Sequence, residues 1–318
     1  MNTRWRTQAI ILAVTLVVIA LLAVAYGRMP RPFGRPAPGA GEEPTITLYL
    51  HSQNTTRQIK LEDYVQGVVA AEIDPKWPLE ALKAQAIVAR TFTLQKKDEG
   101  NARRLHGTDA CDDKDHFQAY DPSRINDNVR WAVQETRGMV ITSGGKPIRA
   151  WFHSNSGGKT ATAEEGLGFT QEPTPYLTVV DDPMSLQDAP ATEKSWTATF
   201  SVDEIRAAAA KMGKNVTSVT SVAIGRRGPS GRAMTIRIGN VELSAPELRT
   251  ALGPERMKST LLDSVALDGG RVVMKGKGWG HGVGLSQWGA EAMAKAGKKA
   301  EDIITFYYKG IRLERMWQ

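Results

Sequence analysis

Leu61-Glu62-Asp63-Tyr64-Val65-Gln66-Gly67-Val68-Val69-Ala70-Ala71-Glu72-Ile73-Asp74-Pro75-Lys76-Trp77-Pro78-Leu79-Glu80-Ala81-Leu82-Lys83 reads as a helix, a break and the start of a second helix. Apolar residues recur at helical spacing over residues 61–73. Asp74 and Pro75 end that run, and Pro78 suits the first turn of a helix reaching about residue 97. Two helices therefore meet at a tight corner. Val65, Val68 and Val69 make the apolar stripe of the first, and Glu72 lies seven, four and three residues beyond them, on the face that should be buried. Burial disfavours an ionised carboxylate and raises its pKa, which makes a proton donor usable near neutral pH. Glu72 could equally pair with Lys76, its i+4 neighbour, and position alone leaves the two readings level.

Working outward, Lys83 and Arg90 are seven residues apart on one face of the second helix, beside the small apolar stripe of Leu82, Ala86 and Ala89. They converge with Glu72 if the corner folds one helix back over the other; otherwise they are a solvated face. Residues 46–50, 139–142 and 148–153 read as strands, residues 202–212 as a helix, and residues 234–243 as a hairpin turning at Gly239-Asn240. Strands and helices mix without a regular βαβ alternation, so the expected class is α+β. Residues 150–160 run from a strand into a polar turn, where Ser154 and Asn155 suit sugar hydroxyls or N-acetyl groups and equally suit a plain turn. His153 and Ser154 are adjacent on a strand and point to opposite faces, which argues against a serine hydrolase.

A second dense stretch is Lys277-Gly278-Trp279-Gly280-His281-Gly282-Val283-Gly284-Leu285-Ser286-Gln287-Trp288-Gly289-Ala290. Its glycines describe a tightly folded loop that displays a few side chains before a helix. No G-x-G-x-x-G opens a helix and no G-K-[ST] follows, so a nucleotide site is disfavoured.

The chain has 318 residues and a formal net charge of +7. Residues 1–41 hold five arginines and no acid, leaving only +2 for the remainder, so the charge does not mark a nucleic-acid binder. Residues 9–26 carry no charge and follow Arg4 and Arg6, as a membrane-inserting segment does. An anchor is favoured over a cleaved signal, with the bulk of the chain outside the cytoplasm. The expected organisation is a membrane anchor or signal segment at residues 1–27, a Pro/Gly-rich linker at 28–44 and one exported α+β body at 45–318, behind a single N-terminal transmembrane helix. One cysteine, Cys111, excludes an internal disulfide.

Four blocks now carry a resemblance: Val68-Val69-Ala70-Ala71-Glu72-Ile73; Trp77-Pro78-Leu79-Glu80-Ala81-Leu82-Lys83-Ala84-Gln85-Ala86-Ile87-Val88-Ala89-Arg90-Thr91; Asn155-Ser156-Gly157-Gly158; and the run from Gly278 to Ala290. In this order they resemble the stage II sporulation protein D family, also called amidase enhancers, over residues 45–309. The resemblance implies a membrane-anchored lytic transglycosylase that cleaves the MurNAc–GlcNAc β-1,4 bond of peptidoglycan and leaves a 1,6-anhydro-MurNAc end, in cell-wall remodelling or sporulation. Strands already stripped of stem peptides would be the substrate. It puts the catalytic acid on Glu72 and basic substrate-binding residues on Lys83 and Arg90. Ser154, Asn155, His281, Ser286 and Gln287 would line the sugar groove, and Trp279 would stack on a ring. Implied partners are glycan strands, a cell-wall amidase or other cell-wall proteins, and the membrane. The alternative is a non-catalytic glycan-binding enhancer of an amidase.

No cofactor is required for such chemistry. Some relatives bind zinc through a His and two Cys in the region matching residues 105–120, where this chain has His106, Cys111 and His116 but Phe117 in place of the second cysteine. Those three residues are the expected ligands of a structural zinc; the opposing reading is an acidic loop around an ordinary buried cysteine.

Overall fold

The computed structural model describes residues 41–318 except Asp115. The expected membrane segment lies outside these residues, and no helix among the described residues is long and apolar enough to cross a membrane. The body is α+β, built from small sheets and helices around three apolar cores.

Strands β1 (Thr45–Leu50) and β2 (Thr55–Lys60) form an antiparallel hairpin. Ile46, Leu48 and Leu50 alternate inward from β1, as a strand half-buried on one face requires. The chain passes directly into α1 (Leu61–Glu72), turns at the predicted prolines and enters α2 (Leu79–Glu99), which stops at Gly100. A short α3 (Asn101–His106) and β3 (Ala110–Cys111) follow, β3 pairing parallel to β1. Beyond a loop come α4 (Asp127–Glu135), β4 (Met139–Ser143) and β5 (Lys146–Pro147).

Helix α2 is central because it is apolar on two faces. Leu82, Ala86 and Ala89 pack with Val65, Val68 and Val69 of α1 in the first core. Ala84, Ile87 and Val88 pack with Val283, Leu285 and Ile304 in the second. Each of the three valines is fully buried, which contributes about 1.5–3 kcal/mol apiece. The acid-bearing corner and the glycine loop are thus built against opposite sides of one helix.

Residues 148–153, expected as one strand, pair only at their far end, and residues 148–151 between β5 and β6 form no strand. β5 ends at Pro147 on β4, while only β6 (Phe152–His153) pairs further on, with a strand more than 130 residues away. Beyond it lie α5 (Ala163–Leu167) and α6 (Ala191–Lys194). A region with its own core follows: β7 (Trp196–Ser201), α7 (Val202–Lys211), β8 (Val222–Ile224), β9 (Thr235–Ile238), β10 (Val241–Ser244), α8 (Ala245–Leu252), β11 (Leu262–Asp268) and β12 (Arg271–Gly276). Its hairpin β9–β10 turns where Gly239-Asn240 predicted. The chain then returns through β13 (Leu285–Ser286), the partner of β6, into α9 (Gln287–Lys295), α10 (Ala300–Tyr307) and β14 (Arg312–Arg315), which pairs with β4.

Candidate active site

Glu72 ends α1, half-buried, as the apolar stripe predicted. Its partner is a backbone group. The loop after β3 crosses α1 at Gly67, where an added Cβ would stand 2.3 Å from the Tyr120 ring, so only glycine permits the crossing. Phe117 is buried against Phe92, and the Gln118 side chain donates to Thr93 Oγ1 at 2.9 Å. Held this way, the loop delivers the Ala119 N–H to Glu72 Oε1 at 2.8 Å.

Burial pushes the Glu72 carboxyl up to about 7, against the Ala119 N–H, the Gln287 amide and the Lys114 charge, which all favour the ionised form. Gln287 faces the acid without closing a hydrogen bond of ordinary geometry, and its Nε2 is a buried donor with no partner. The cation acting on Glu72 is Lys114, neither Lys83 nor Arg90.

Those two basic residues part company. Arg90 is fully buried and faces the first core. It grips Glu62 through Nε at 3.1 Å and Nη2 at 2.6 Å and donates Nη1 to Met139 O at 3.0 Å. Glu62 also accepts from Gly138 N and Trp317 Nε1. Arg90 is therefore a structural ion-pair residue, and its expected contact with substrate is corrected: a helix pattern places a side chain on a face but does not say which partner fills that face. Lys83 lies beside Glu80 at 3.3 Å and Glu135 at 4.0 Å, and it keeps part of its side chain in water.

The glycine loop approaches from the other side. Gly284, at φ +73°, brings the chain so close to Trp151 that a Cβ would meet its carbonyl oxygen. Ser154 donates to Glu193 Oε2 at 2.7 Å, and Trp288 Nε1 donates to Glu193 Oε1 at 3.2 Å. The Trp288 ring lies 4.8 Å from that of Trp77, which comes from the α1–α2 corner. Gln287 and Trp288 begin α9, so the amide that acts on the acid and the ring that meets Trp77 are set by one helix start. The Trp279 ring, half-buried, carries the Lys258 ammonium 4.3 Å from its centre.

Three other expected groove residues make hydrogen bonds within the scaffold, two of them fully buried and His281 half-buried. Asn155 is fully buried, with Nδ2 on Ser185 O and Oδ1 accepting from Gly157 N. Ser286 is fully buried, accepts from Ser156 N and caps α9. His281 accepts the Val283 N–H on Nδ1 and hydrogen-bonds the Phe152 backbone. Burial, with Arg249 and Arg232 nearby, pushes its imidazole down to about 3, so it is neutral at any physiological pH.

Among residues not anticipated, the Ala119 amide carries no side-chain signal, and Glu193 lies far away in sequence. Trp77 and Trp288 were visible in the quoted blocks as aromatics beside the break and the helix start. For a metal, the expected set also changes. Cys111 is fully buried in the first core, among Leu48, Tyr64 and Val65, and is corrected from ligand to core residue. The donor atoms of His106 and His116 instead meet those of His51, all within 4.8 Å of one another. The implied metal thus fits the residues present only with His51 in place of Cys111.

Residues 49–143 match the family model described as Stage II sporulation protein, and residues 184–284 match one described as a domain of unknown function. The chain is 34% identical to Stage II sporulation protein D of Bacillus amyloliquefaciens, over 85% of this chain and 81% of that one. It is 31% identical to Stage II sporulation protein D of Bacillus subtilis, over 85% of this chain and 78% of that one. An amidase enhancer of Bacillus subtilis is 30% identical over 78% of this chain and 40% of its own length.

Proposed function

This chain belongs to the stage II sporulation protein D family, and on that premise we propose that it is a lytic transglycosylase of peptidoglycan glycan strands with Glu72 as its acid. The observation that carries the reading is a half-buried carboxyl poised at about 7 and held on one oxygen by a backbone N–H. Ordinary glycosidases need two carboxyl groups, but an intramolecular attack needs one.

The steps balance on that single group. The Ala119 amide fixes Oε1 as an acceptor, leaving the other oxygen to carry the proton. Protonated Glu72 donates to the glycosidic oxygen between MurNAc and GlcNAc as the bond to C1 breaks. The MurNAc C6 hydroxyl then attacks C1, and its proton returns to the carboxylate. The products are a free GlcNAc 4-hydroxyl and a 1,6-anhydro-MurNAc end, with no water consumed and Glu72 protonated again.

Trp77 and Trp288 offer faces for sugar rings beside the acid, and Lys83 a charge for the lactyl carboxylate of a strand without stem peptides. The body works outside the cytoplasm, tethered by residues 9–26 or exported behind them. The name of one relative favours a second reading, in which the chain binds glycan and enhances a cell-wall amidase without cleaving.

The test is mass spectrometry of products from amidase-treated and untreated strands, with wild type and Glu72→Gln in parallel. Anhydro-MurNAc ends formed only by wild type are expected. Strand binding with no new ends would overturn the enzyme and leave the enhancer.

A further inference from the structure

Asp182 is fully buried beneath the start of α9 and takes no part in the chemistry at Glu72. Three hydroxyls from three segments face its carboxylate. Ser156, in the turn after β6, donates to Oδ2 at 2.8 Å. Tyr307, the last residue of α10, and Ser286, the cap of α9, face it as well and favour its ionised form. Gly289 in the first turn of α9 permits this approach, since an added Cβ would stand 2.8 Å from both carboxylate oxygens and closer still to the Tyr307 hydroxyl. Asp182 Oδ1 and the Tyr307 hydroxyl nevertheless close no hydrogen bond of ordinary geometry. Charged neighbours on the same elements are engaged elsewhere: Asp181 pairs with Lys159, and Lys295 joins Glu291 to Asp188. A serine hydroxyl has one proton and two lone pairs. Ser286 Oγ commits its lone pairs to Ser156 N at 3.2 Å and Gly289 N at 3.4 Å. Its proton is left for Asp182 or Tyr307, the two acceptors that face it. Burial pushes the Asp182 carboxyl up to about 6, against the Ser156, Tyr307 and Ser286 hydroxyls and the Ser185 N–H.

We propose that Asp182 is a positioning residue for Glu72: its carboxylate is the acceptor on which the Ser156, Ser286 and Tyr307 hydroxyls close, which keeps Ser286 accepting at the start of α9 and holds Gln287 towards the acid. A carboxylate only accepts, whereas a carboxylic acid also donates. Protonation of Asp182 therefore leaves one hydroxyl proton without its acceptor and loosens the cap on Gly289. Losing a cap bond destabilises the first turn of a helix, here the turn that begins with Gln287 and Trp288. Helix polarity acts in the same sense, because the N-terminus of α9 favours negative charge. Glu72 acts when protonated and Asp182 holds α9 when ionised, so cleavage is favoured between about 6 and about 7. The acid limb thus comes from a group that does not meet the sugar. Only this effect on cleavage rests on the proposed role of Glu72; the capping network does not.

The test begins with the full-length protein alone, by amide hydrogen exchange across residues 286–290 from about pH 5 to about pH 8. Corrected for the intrinsic pH dependence of exchange, protection of the Gly289 amide in wild type should fall as pH drops through about 6. Asp182→Asn cannot titrate, so its protection should not change with pH. Tyr307→Phe removes one donor to the carboxylate, and the midpoint should move upward. With glycan strands, wild type should show a bell-shaped pH–rate profile. Asp182→Asn should lose the acid limb and run up to about 10²-fold slower near pH 7. Wild-type protection that ignores pH, a midpoint unchanged or lowered in Tyr307→Phe, or an acid limb retained in Asp182→Asn would each overturn the proposal. The wild-type titration stands even if a variant fails to fold. Protection that follows pH in a protein that yields no anhydro ends would refute the transglycosylase and leave the capping network standing.

Discussion

The helix corner that carries Glu72 and the glycine loop that carries His281 both withdraw a titratable side chain from water, yet only the first can exchange a proton near neutral pH. Desolvation favours the neutral form of either group. It moves a carboxylic acid up towards neutrality, to about 7 in Glu72, and an imidazole down and away from it, to about 3 in His281. His153, whose ring lies tilted 5.5 Å from that of His281, is lowered in the same direction by burial. One physical effect thus holds a carboxyl protonated towards neutral pH on one side of α2 and imidazoles neutral on the other. A histidine displayed on a glycine loop invites a catalytic reading from sequence, and burial is what withdraws it.

The comparison breaks first at Glu72. Replacing it with Gln should lower strand cleavage by about 10²–10⁴-fold, the usual worth of a general acid. The same variant tests burial without any substrate. In the unfolded chain this carboxyl ionises from about 4.5, and in the folded chain only near 7, so wild type loses stability as pH rises through that window. Glu72→Gln escapes the loss and should be more stable than wild type by up to about 3 kcal/mol at pH 8, with little difference at pH 4. Urea unfolding at both pH values measures the gap; a gap that does not open with pH would show the acid to be well solvated.

Arg90 and Lys83 sharpen the contrast between buried and wet positions on one helix. Arg90→Leu leaves Glu62 charged and unpaired in the core and should cost about 3–5 kcal/mol. Lys83→Ala breaks only partly solvated pairs and should cost less than about 1 kcal/mol, its effect falling instead on strand binding. Thermal unfolding separates the two, and an Arg90→Leu protein of normal stability but lost glycan affinity would reverse their assignments.

On the loop side, His281 contributes stability that is present above its unfolded pKa near 6.5 and is lost as pH falls towards 3. His281→Gln should flatten the acid side of the stability profile by at most about 1.4 kcal/mol per pH unit, the slope of one proton. Unfolding between pH 4 and 6.5 reads it, and parallel profiles would mean that the ring is not held neutral. The smallest effect belongs to Lys114→Ala. Removing that charge should move the alkaline limb of the cleavage rate slightly upward, because Lys114 favours ionised Glu72. A downward move in the pH–rate profile would contradict the sign.

What was legible in the sequence was local. The α1–α2 corner follows from apolar spacing and two prolines, and the position of Glu72 from its distance to three valines. What was not legible depends on partners far along the chain. Arg90 was placed on the face of Lys83, but its meaning is set by Glu62, Gly138 and Trp317. The donor to Glu72 is a backbone N–H that any residue at 119 except proline could supply, so composition is blind to it. His51 sits 55 residues before His106, beyond the reach of spacing rules, yet its ring faces those of His106 and His116, whereas Cys111, between those two in sequence, is sealed in the core. The run at residues 148–153 reads as one strand because periodicity does not reveal that only Phe152 and His153 find a pairing partner, more than 130 residues away.

Trp317 supplies a last consequence. Its indole closes the Glu62 cluster at 2.8 Å, and β14 just before it completes the sheet on β4, so a core begun by residues 46–140 is finished by residues 312–317. The order of synthesis and the order of assembly therefore run against each other. The acid-bearing half leaves the ribosome first and is sealed last, so a chain without its final strand carries Glu72 on an unfinished core. Pulse proteolysis of released chains ending at residue 311 and at residue 318 should show protection of the corner only in the longer one; protection in the shorter would mean that the corner folds unaided.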